Sequence, residues 1–249
     1  MSRDSINQTA NIGDGTTTGF HCVIGSGVII GENCQIGHHV VIHDDSRIGD
    51  GVRIDDHAVI GKRPMRAAAS ATTSSDELEP ASVGPGAIIG TGAIIYRGAD
   101  LGARVLVADL ATVREKVTVG ERTIIGRGVA IENSCTIGSN CKLETNAYIT
   151  AFSVLEDNVF VAPGVLTSND NFLGRTQERF KHFKGVTVRK GGRLGVGSVV
   201  LPGKEIGADA VVAAGAVLTR NADGETIYAG VPATRFRDVP DEQKLGDEG

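Results

Sequence analysis

Hydrophobic residues recur along this chain at an interval of six. Counting from Ile6, the positions Ile12, Thr18, Ile24, Ile30, Ile36, Ile42, Ile48, Ile54 and Ile60 follow in step. The frame resumes at Val83 and runs through Ile89, Ile95, Leu101, Val107, Val113, Val119, Ile125, Ile131, Ile137, Leu143, Ile149, Leu155, Val161 and Thr167. It resumes again at Val188 and ends with Leu194, Val200, Ile206, Val212 and Leu218. Of these 31 positions, 29 are Ile, Leu or Val. Helices repeat near 3.6 and strands at 2, so neither accounts for a strict six. A hexapeptide β-helix does, because every sixth side chain then enters one narrow core.

A second column supports the first. Four residues after the frame position the residue is small, as at Thr16, Cys22, Val28, Cys34, Val40, Ser46, Thr123, Cys135 and Cys141. Large aliphatics alternating with small inward residues fill a thin prism without voids. The residue directly after the frame is often Gly (Gly13, Gly25, Gly31, Gly37, Gly120, Gly138). This is expected where repeated sharp corners need special backbone angles. Each hexad is then a strand plus a corner, three hexads close one triangular coil, and 31 hexads make about ten coils.

The frame breaks twice. Residues 61–82 are rich in Ala, Ser and Thr, and residues 168–187 hold Phe172, Phe180 and Phe183 beside Arg175, Arg179, Lys181, His182 and Lys184. The first reads as an excursion loop whose role stays open; the second, so long in so regular a body, is expected to carry function. The domain reading is one solenoid over 1–218 with two excursion loops, followed by a cap and tail over 219–249 whose polar end frays. One long solenoid is favoured over two domains because each coil needs only its neighbours.

The repeat resembles that of the left-handed β-helix acyltransferases, over about nine-tenths of the chain. The resemblance supplies the handedness: the expected fold is an all-β, left-handed parallel β-helix. It also implies a homotrimer, with active sites between neighbouring prisms.

Residues 18 apart stack in register, which converts sequence into surface columns. One column reads Arg97, Glu115, Asn133, Ala151, Asn169, and the next Gly98, Lys116, Ser134, Phe152, Asp170. This edge leads into the second loop. VFVAPGVLTSND resembles the segment of bacterial nucleotide-sugar N-acyltransferases in which an Asn-Asp pair precedes a loop touching the amino sugar. Carried over, Asn169 and Asp170 hold the sugar and its amine. Glu115 joins them as a candidate catalytic carboxylate, and Asn133, Arg97, Arg175 and His182 as candidate substrate contacts. Relatives carry a Glu where Ala151 stands, and a catalytic His where REKVTVG has Glu115 and NSCTIG has Asn133. A His base of that type is therefore not expected.

The segment GVGSVVLPGKEIGADAVVAAGAVLTRNADGETIYAGVPATRFRD resembles the coenzyme A end of hexapeptide acyltransferases. Gly195, Gly197, Ala213, Ala214 and Gly215 are the small residues along which a pantetheine arm would lie. Arg220, Arg235 and Arg237 are placed to meet phosphates, where charge-assisted bonds are strong. Acetyl-CoA or another acyl-CoA is thus expected as co-substrate, with no tightly bound cofactor. The expected reaction is direct attack of an amine on the thioester, with positioning supplying much of the rate. Whether a carboxylate or the leaving thiolate takes the proton stays open.

Two other readings compete. His21, His39 and His57 form a column, with His38 and His43 nearby, and γ-class carbonic anhydrases of this fold bind zinc through three His. The His38/His43 pair matches that pattern, but Ser2 stands where the third ligand belongs, so no metal is expected. A non-catalytic scaffold is the third reading. The net charge of −5 without a basic run argues against nucleic acid. The four cysteines all fall at inward positions, as core filler. Reduced buried thiols, with no signal core or long apolar run, suit a cytoplasmic protein away from membranes.

Overall fold

The computed structural model describes residues 5–68, 70–73 and 76–246. Each hexad folds as expected, into a two-residue strand ending on its frame residue, such as Val23–Ile24, Ile29–Ile30 and Gln35–Ile36. The strands pair in parallel with those one coil on, Ile24 with Ile42 and Ile131 with Ile149. The result is a left-handed parallel β-helix with three flat faces, sheets of 11, 10 and 12 strands. The 11-stranded sheet ends at Val217–Leu218, whereas the 12-stranded sheet continues past Leu218. Strand Thr226–Ala229 adds to Val211–Val212 in parallel, and Thr234–Asp238 adds to it antiparallel. The solenoid's last pairings therefore fall beyond the boundary read at 218.

From Ile24 to Leu218 nearly every frame residue is sealed in the core, with Ile60, Ile89, Ile125 and Val200 fully buried. Burying such a side chain is worth roughly 1.5–3 kcal/mol, so each coil contributes its share independently of distant coils. Ile6, in the first described strand, is 42% exposed. The small inward column is also buried, and all four cysteines are free thiols within it. Among its polar members Thr123 Oγ1 donates to the Gly138 carbonyl at 2.8 Å and accepts from the Cys141 N–H at 3.0 Å, whereas Ser198 Oγ is buried without a partner.

The glycine after the frame has a different cause from the one expected. At Gly13 and Gly120 the backbone φ is not left-handed; a Cβ would lie 2.6 Å from the Gly31 carbonyl carbon and 2.5 Å from the Ser139 nitrogen. Close stacking of successive coils excludes a side chain there. The left-handed backbone falls two residues later, and many ordinary side chains occupy it: His21, Asn33, His39, Asp45, His57, Lys116 and Phe152 all have φ between 55° and 68°. That corner conformation projects these side chains outward, which is why columns 18 apart meet on the surface.

The C-terminal end is closed by Tyr228, Ala233 and Val239, all at most 9% exposed. The tail does not fray at once. Lys244 pairs with Glu225 at 2.7 Å and Asp241 at 2.8 Å, and the Leu245 N–H donates to Asp209. Residues 247–249 lie outside the described residues.

The two interruptions leave the prism at one edge. The first lies between strands Val59–Lys62 and Ser82–Val83, the second between Leu166–Thr167 and Thr187–Val188. Both join the 11-stranded sheet to the 10-stranded sheet. Four uninterrupted coils separate them along that edge.

Candidate functional site

The shared edge carries the polar columns expected from the sequence, and one more. One residue before Arg97, Glu115 and Asn133 runs the column Tyr96, Arg114, Glu132, Thr150. Sequence reasoning missed it, although the same 18-residue step applied one position earlier finds it. Together the two columns form a cluster of polar groups set into the solenoid wall.

Arg114 is the hub. Its Nε donates to Glu115 Oε2 at 2.8 Å, its Nη2 to Glu115 Oε1 at 3.0 Å and to Thr73 Oγ1 at 3.2 Å, and its Nη1 to Glu132 Oε2 at 3.3 Å. Its guanidinium also stacks 5.0 Å from the Tyr96 ring centre. Glu115 is 4% exposed and both of its oxygens face Arg114. As a base it is already committed. Glu132 is freer, because Arg114 engages only one of its oxygens, at the longer distance. Burial pushes its carboxyl above the usual range and the Glu115 charge adds to this, against the pull of Arg114. Tyr148 faces the same cluster, and burial together with the Glu132 charge raises its hydroxyl.

Asn133 is 3% exposed. Its Nδ2 donates to the Thr72 carbonyl at 3.0 Å, and its Oδ1 is buried without a hydrogen-bond partner. Burying an unpaired amide oxygen costs about 1–3 kcal/mol, so this group is unusual in a protein whose other inward polar groups are mostly paired. The first loop thus folds down over the cluster through Thr72, Thr73 and the Asp76–Lys116 pair at 2.7 Å.

Arg97 anchors the same loop. Its Nε donates to the Leu78 carbonyl at 2.9 Å and its Nη1 to the Asp44 carbonyl at 2.8 Å, with Asp45 Oδ2 at 3.4 Å. It holds the loop's base rather than presenting a free fork to a ligand. Beside it, Arg63, Arg66, Asp76, Glu77 and Leu78 line a hollow of about 300 Å³.

The second loop is organised by Asp170. Its Oδ1 accepts from the Phe172 N–H at 2.8 Å, its Oδ2 from the Gly174 N–H at 3.0 Å, and Arg179 Nε stands at 3.1 Å. Burial acts to raise its carboxyl, but these N–H donors and the Arg179 charge hold it below the usual carboxylate range. Arg179 in turn lies 5.3 and 5.1 Å from the rings of Phe180 and Phe183. Asn169 accepts the Lys184 N–H on its carbonyl at 3.2 Å, closing the loop's neck. His182 lies 3.2 Å from Glu178 and 5.7 Å from the Phe172 ring centre. Arg175 is exposed. The structure therefore gathers Glu115, Asn133 and Arg97 under the first loop, and Asn169, Asp170, Arg175 and His182 around the second.

At the C-terminal end, Gly195 and Ala213 stack one coil apart, as do Gly197 and Gly215. Gly195 is required by packing, since a Cβ would lie 2.5 Å from the Ala214 nitrogen. Gly197 and Gly215, with φ of +63° and +67°, face open space, and Ala214 is exposed beside them. Arg220 and Arg235 line a common hollow of about 290 Å³ with Tyr228. Arg235 also pairs with Asp238, whose carbonyl accepts from Arg237.

The histidine column stands on a different edge. His21, His39 and His57 stack face to face at 5.1 and 4.9 Å, and Phe20 stacks on His38 at 5.4 Å. Stacked rings lie side by side rather than converging on a point. Among the described residues no group of three or more His, Cys, Asp or Glu is arranged to hold a metal ion. Ser2, the position of the missing third ligand, lies outside the described residues. Also among the described residues, no helix is long and apolar enough to cross a membrane.

Comparison with known proteins agrees with this architecture. The family described as bacterial transferase hexapeptide (six repeats) matches residues 9–44 and 27–62, and the hexapeptide repeat of succinyl-transferase matches 116–151 and 185–220. No curated protein matches the sequence. Among solved structures, UDP-N-acetylglucosamine acyltransferase from Arabidopsis is 18% identical, with a TM-score of 0.55 over 96% of this chain and 74% of its own. The UDP-N-acetylglucosamine acyltransferase of Bacteroides fragilis is 19% identical over 95% and 73%, with a TM-score of 0.49. A maltose O-acetyltransferase from Clostridium difficile is 21% identical over 49% and 70%, with a TM-score of 0.44. In its six-residue frame, its three-sided solenoid and its matches to both descriptions, the chain carries the hexapeptide repeats of bacterial transferases.

Proposed function

We propose that the protein is an acyl-CoA-dependent N-acyltransferase that moves an acyl group, acetyl in the simplest case, to the amine of a nucleotide-linked amino sugar. One observation carries this reading. Both excursions leave the same edge, and the wall between them holds a recessed cluster of carboxylates and an amide in place of the usual apolar and solvated positions. The hollow lined by Arg63 and Arg66 suits the phosphates of a nucleotide-linked acceptor. The open glycine corner at Gly197 and Gly215, with Ala213 and Ala214 beside it, suits a pantetheine arm, and Arg220 and Arg235 suit the phosphates of coenzyme A. Arg237 stands further along the same strand. A homotrimer with the site between neighbouring prisms, in a cytoplasmic setting, is part of the proposal.

Chemically, the site has to hold a neutral amine against a thioester carbonyl. Proximity and orientation then supply much of the rate, and backbone N–H groups at the coil corners can receive the oxyanion. Asp170, with both oxygens already hydrogen bonded, acts in this scheme by fixing the second loop and Asn169 around the sugar. Glu115 acts by holding Arg114. The test is a thiol-release assay with acetyl-CoA and longer acyl-CoAs across a panel of UDP- and dTDP-linked amino sugars, alongside their hydroxyl counterparts. Turnover on an amino sugar and not on its hydroxyl analogue supports the reading. Turnover only on hydroxyl acceptors, or on none, overturns it.

A further inference from the structure

Glu115 and Asp170, the carboxylates that the sequence singles out, are both occupied by fixed partners, which leaves the proton of the acceptor unassigned. We propose that Glu132 and the side-chain oxygen of Asn133 receive the acceptor's amine, with Glu132 taking its proton. This deepens the N-acyltransferase reading and rests on it.

Three observations converge on the pair. Asn133 Oδ1 is buried and unpartnered, in a residue 3% exposed, so an N–H donor is wanted at that point. Glu132 adjoins it in sequence and engages Arg114 through one oxygen only, at 3.3 Å, with its side chain 25% exposed. Two carboxylates, Glu115 and Glu132, share a single guanidinium, so the cluster carries one negative charge in excess, the complement of an ammonium. The first loop covers this place with a carbonyl on Asn133 Nδ2 and a hydroxyl on Arg114 Nη2. Sugar oxygens could replace both contacts.

The acceptor enters as an ammonium and gives one proton to Glu132. The neutral nitrogen attacks the thioester carbonyl carbon, forming the C–N bond while the C–S bond breaks and its electron pair leaves on sulfur. The second nitrogen proton passes to that thiolate, so the products are the amide, the free thiol and a protonated Glu132, which returns its proton to solvent. A carboxyl raised by burial is the better acceptor for this purpose near neutral pH. The groups facing it are Arg114, Glu115, Tyr96, Tyr148 and Cys135 from the wall, with the Lys116–Asp76 pair where the loop meets it.

The experiment compares wild type, Glu132→Gln and Glu132→Asp on the best amino-sugar nucleotide of the panel, with acetyl-CoA as donor. Glu132→Gln is expected to lower kcat by about 100-fold or more, to leave the KM for acetyl-CoA unchanged, and to abolish the acid limb of kcat/KM against pH. Glu132→Asp is expected to keep that limb at reduced kcat. A Glu132→Gln enzyme within threefold of wild type, with the limb retained, overturns the assignment while leaving the N-acyltransferase reading intact. A wild type silent across the whole panel removes that reading and this assignment with it. If Glu132→Gln does not fold, the wild-type profile decides: absence of an acid limb in kcat/KM overturns the proposal.

Discussion

Replacing Arg114 by Met tests the polar cluster through stability alone, without knowledge of the substrate. The change removes four hydrogen bonds at 2.8 to 3.3 Å and strands Glu115, whose side chain is 5% exposed, beside Glu132. Breaking a buried ion pair from one side costs about 3–5 kcal/mol. The Arg114 side chain retains 20% exposure, so the lower end, about 3 kcal/mol, is expected. The penalty should depend on pH in a definite direction. Burial already raises Glu132 in the intact protein, and Arg114 is the group pulling it down. Without Arg114, the Glu132 carboxyl has a folded pKa further above its unfolded one. The folded state then binds more protons than the unfolded one between those two values, so stability falls as pH rises through that window. Urea unfolding at fixed protein concentration, at pH 5 and pH 8, should show a larger deficit against wild type at pH 8. An equal deficit at both, or a larger one at pH 5, would refute the account of the cluster.

Other consequences can be checked separately. Asp170→Ala removes the acceptor for two loop N–H groups and the partner of Arg179; trypsin should cut at Arg175, Arg179 or Lys181 at least tenfold faster, with little change in the urea midpoint of the solenoid. Gly195→Ala drives a Cβ into the Ala214 backbone and should cost about 1–3 kcal/mol, whereas Gly197→Ala, left-handed but unobstructed, should cost about 1–2; urea midpoints rank the two. Burial pushes the Cys135 thiol up to about 12 and the Cys141 thiol up to about 11, so an Ellman reagent at pH 8 should find no reactive thiol in the native protein and four in urea. Arg220→Ala with Arg235→Ala should raise the KM for acetyl-CoA about tenfold or more with a smaller effect on kcat.

The fold was legible because it is written in one dimension. Ile24, Ile42 and Ile60 stack in space simply because they are 18 apart, and no long-range contact had to be guessed. The same step placed Arg97, Glu115, Asn133 and Asn169 on one edge. It did not say what each side chain does there. Glu115 reads as a free carboxylate until Arg114, its neighbour in sequence, is seen to turn back on it with Nε and Nη2. Arg97 reads as a substrate contact until the first loop returns over it and offers the Leu78 carbonyl. Those outcomes depend on the paths of two irregular segments, and neither segment carries a period. The role of the frame glycines was misassigned for a related reason: Gly13 is fixed by how close the next coil comes, which a single hexad does not contain.

Acyl transfer is proposed to take place on the edge between the two excursions. The decisive measurement is a crystal structure of the protein with coenzyme A and the amino-sugar nucleotide that supports turnover. The prediction is density for the amino sugar between the loops, its nitrogen within hydrogen-bonding reach of Glu132 and Asn133 Oδ1, and coenzyme A extending toward Gly197 and Gly215. An amino sugar seated on another edge, such as that of the His21, His39 and His57 stack, would contradict it.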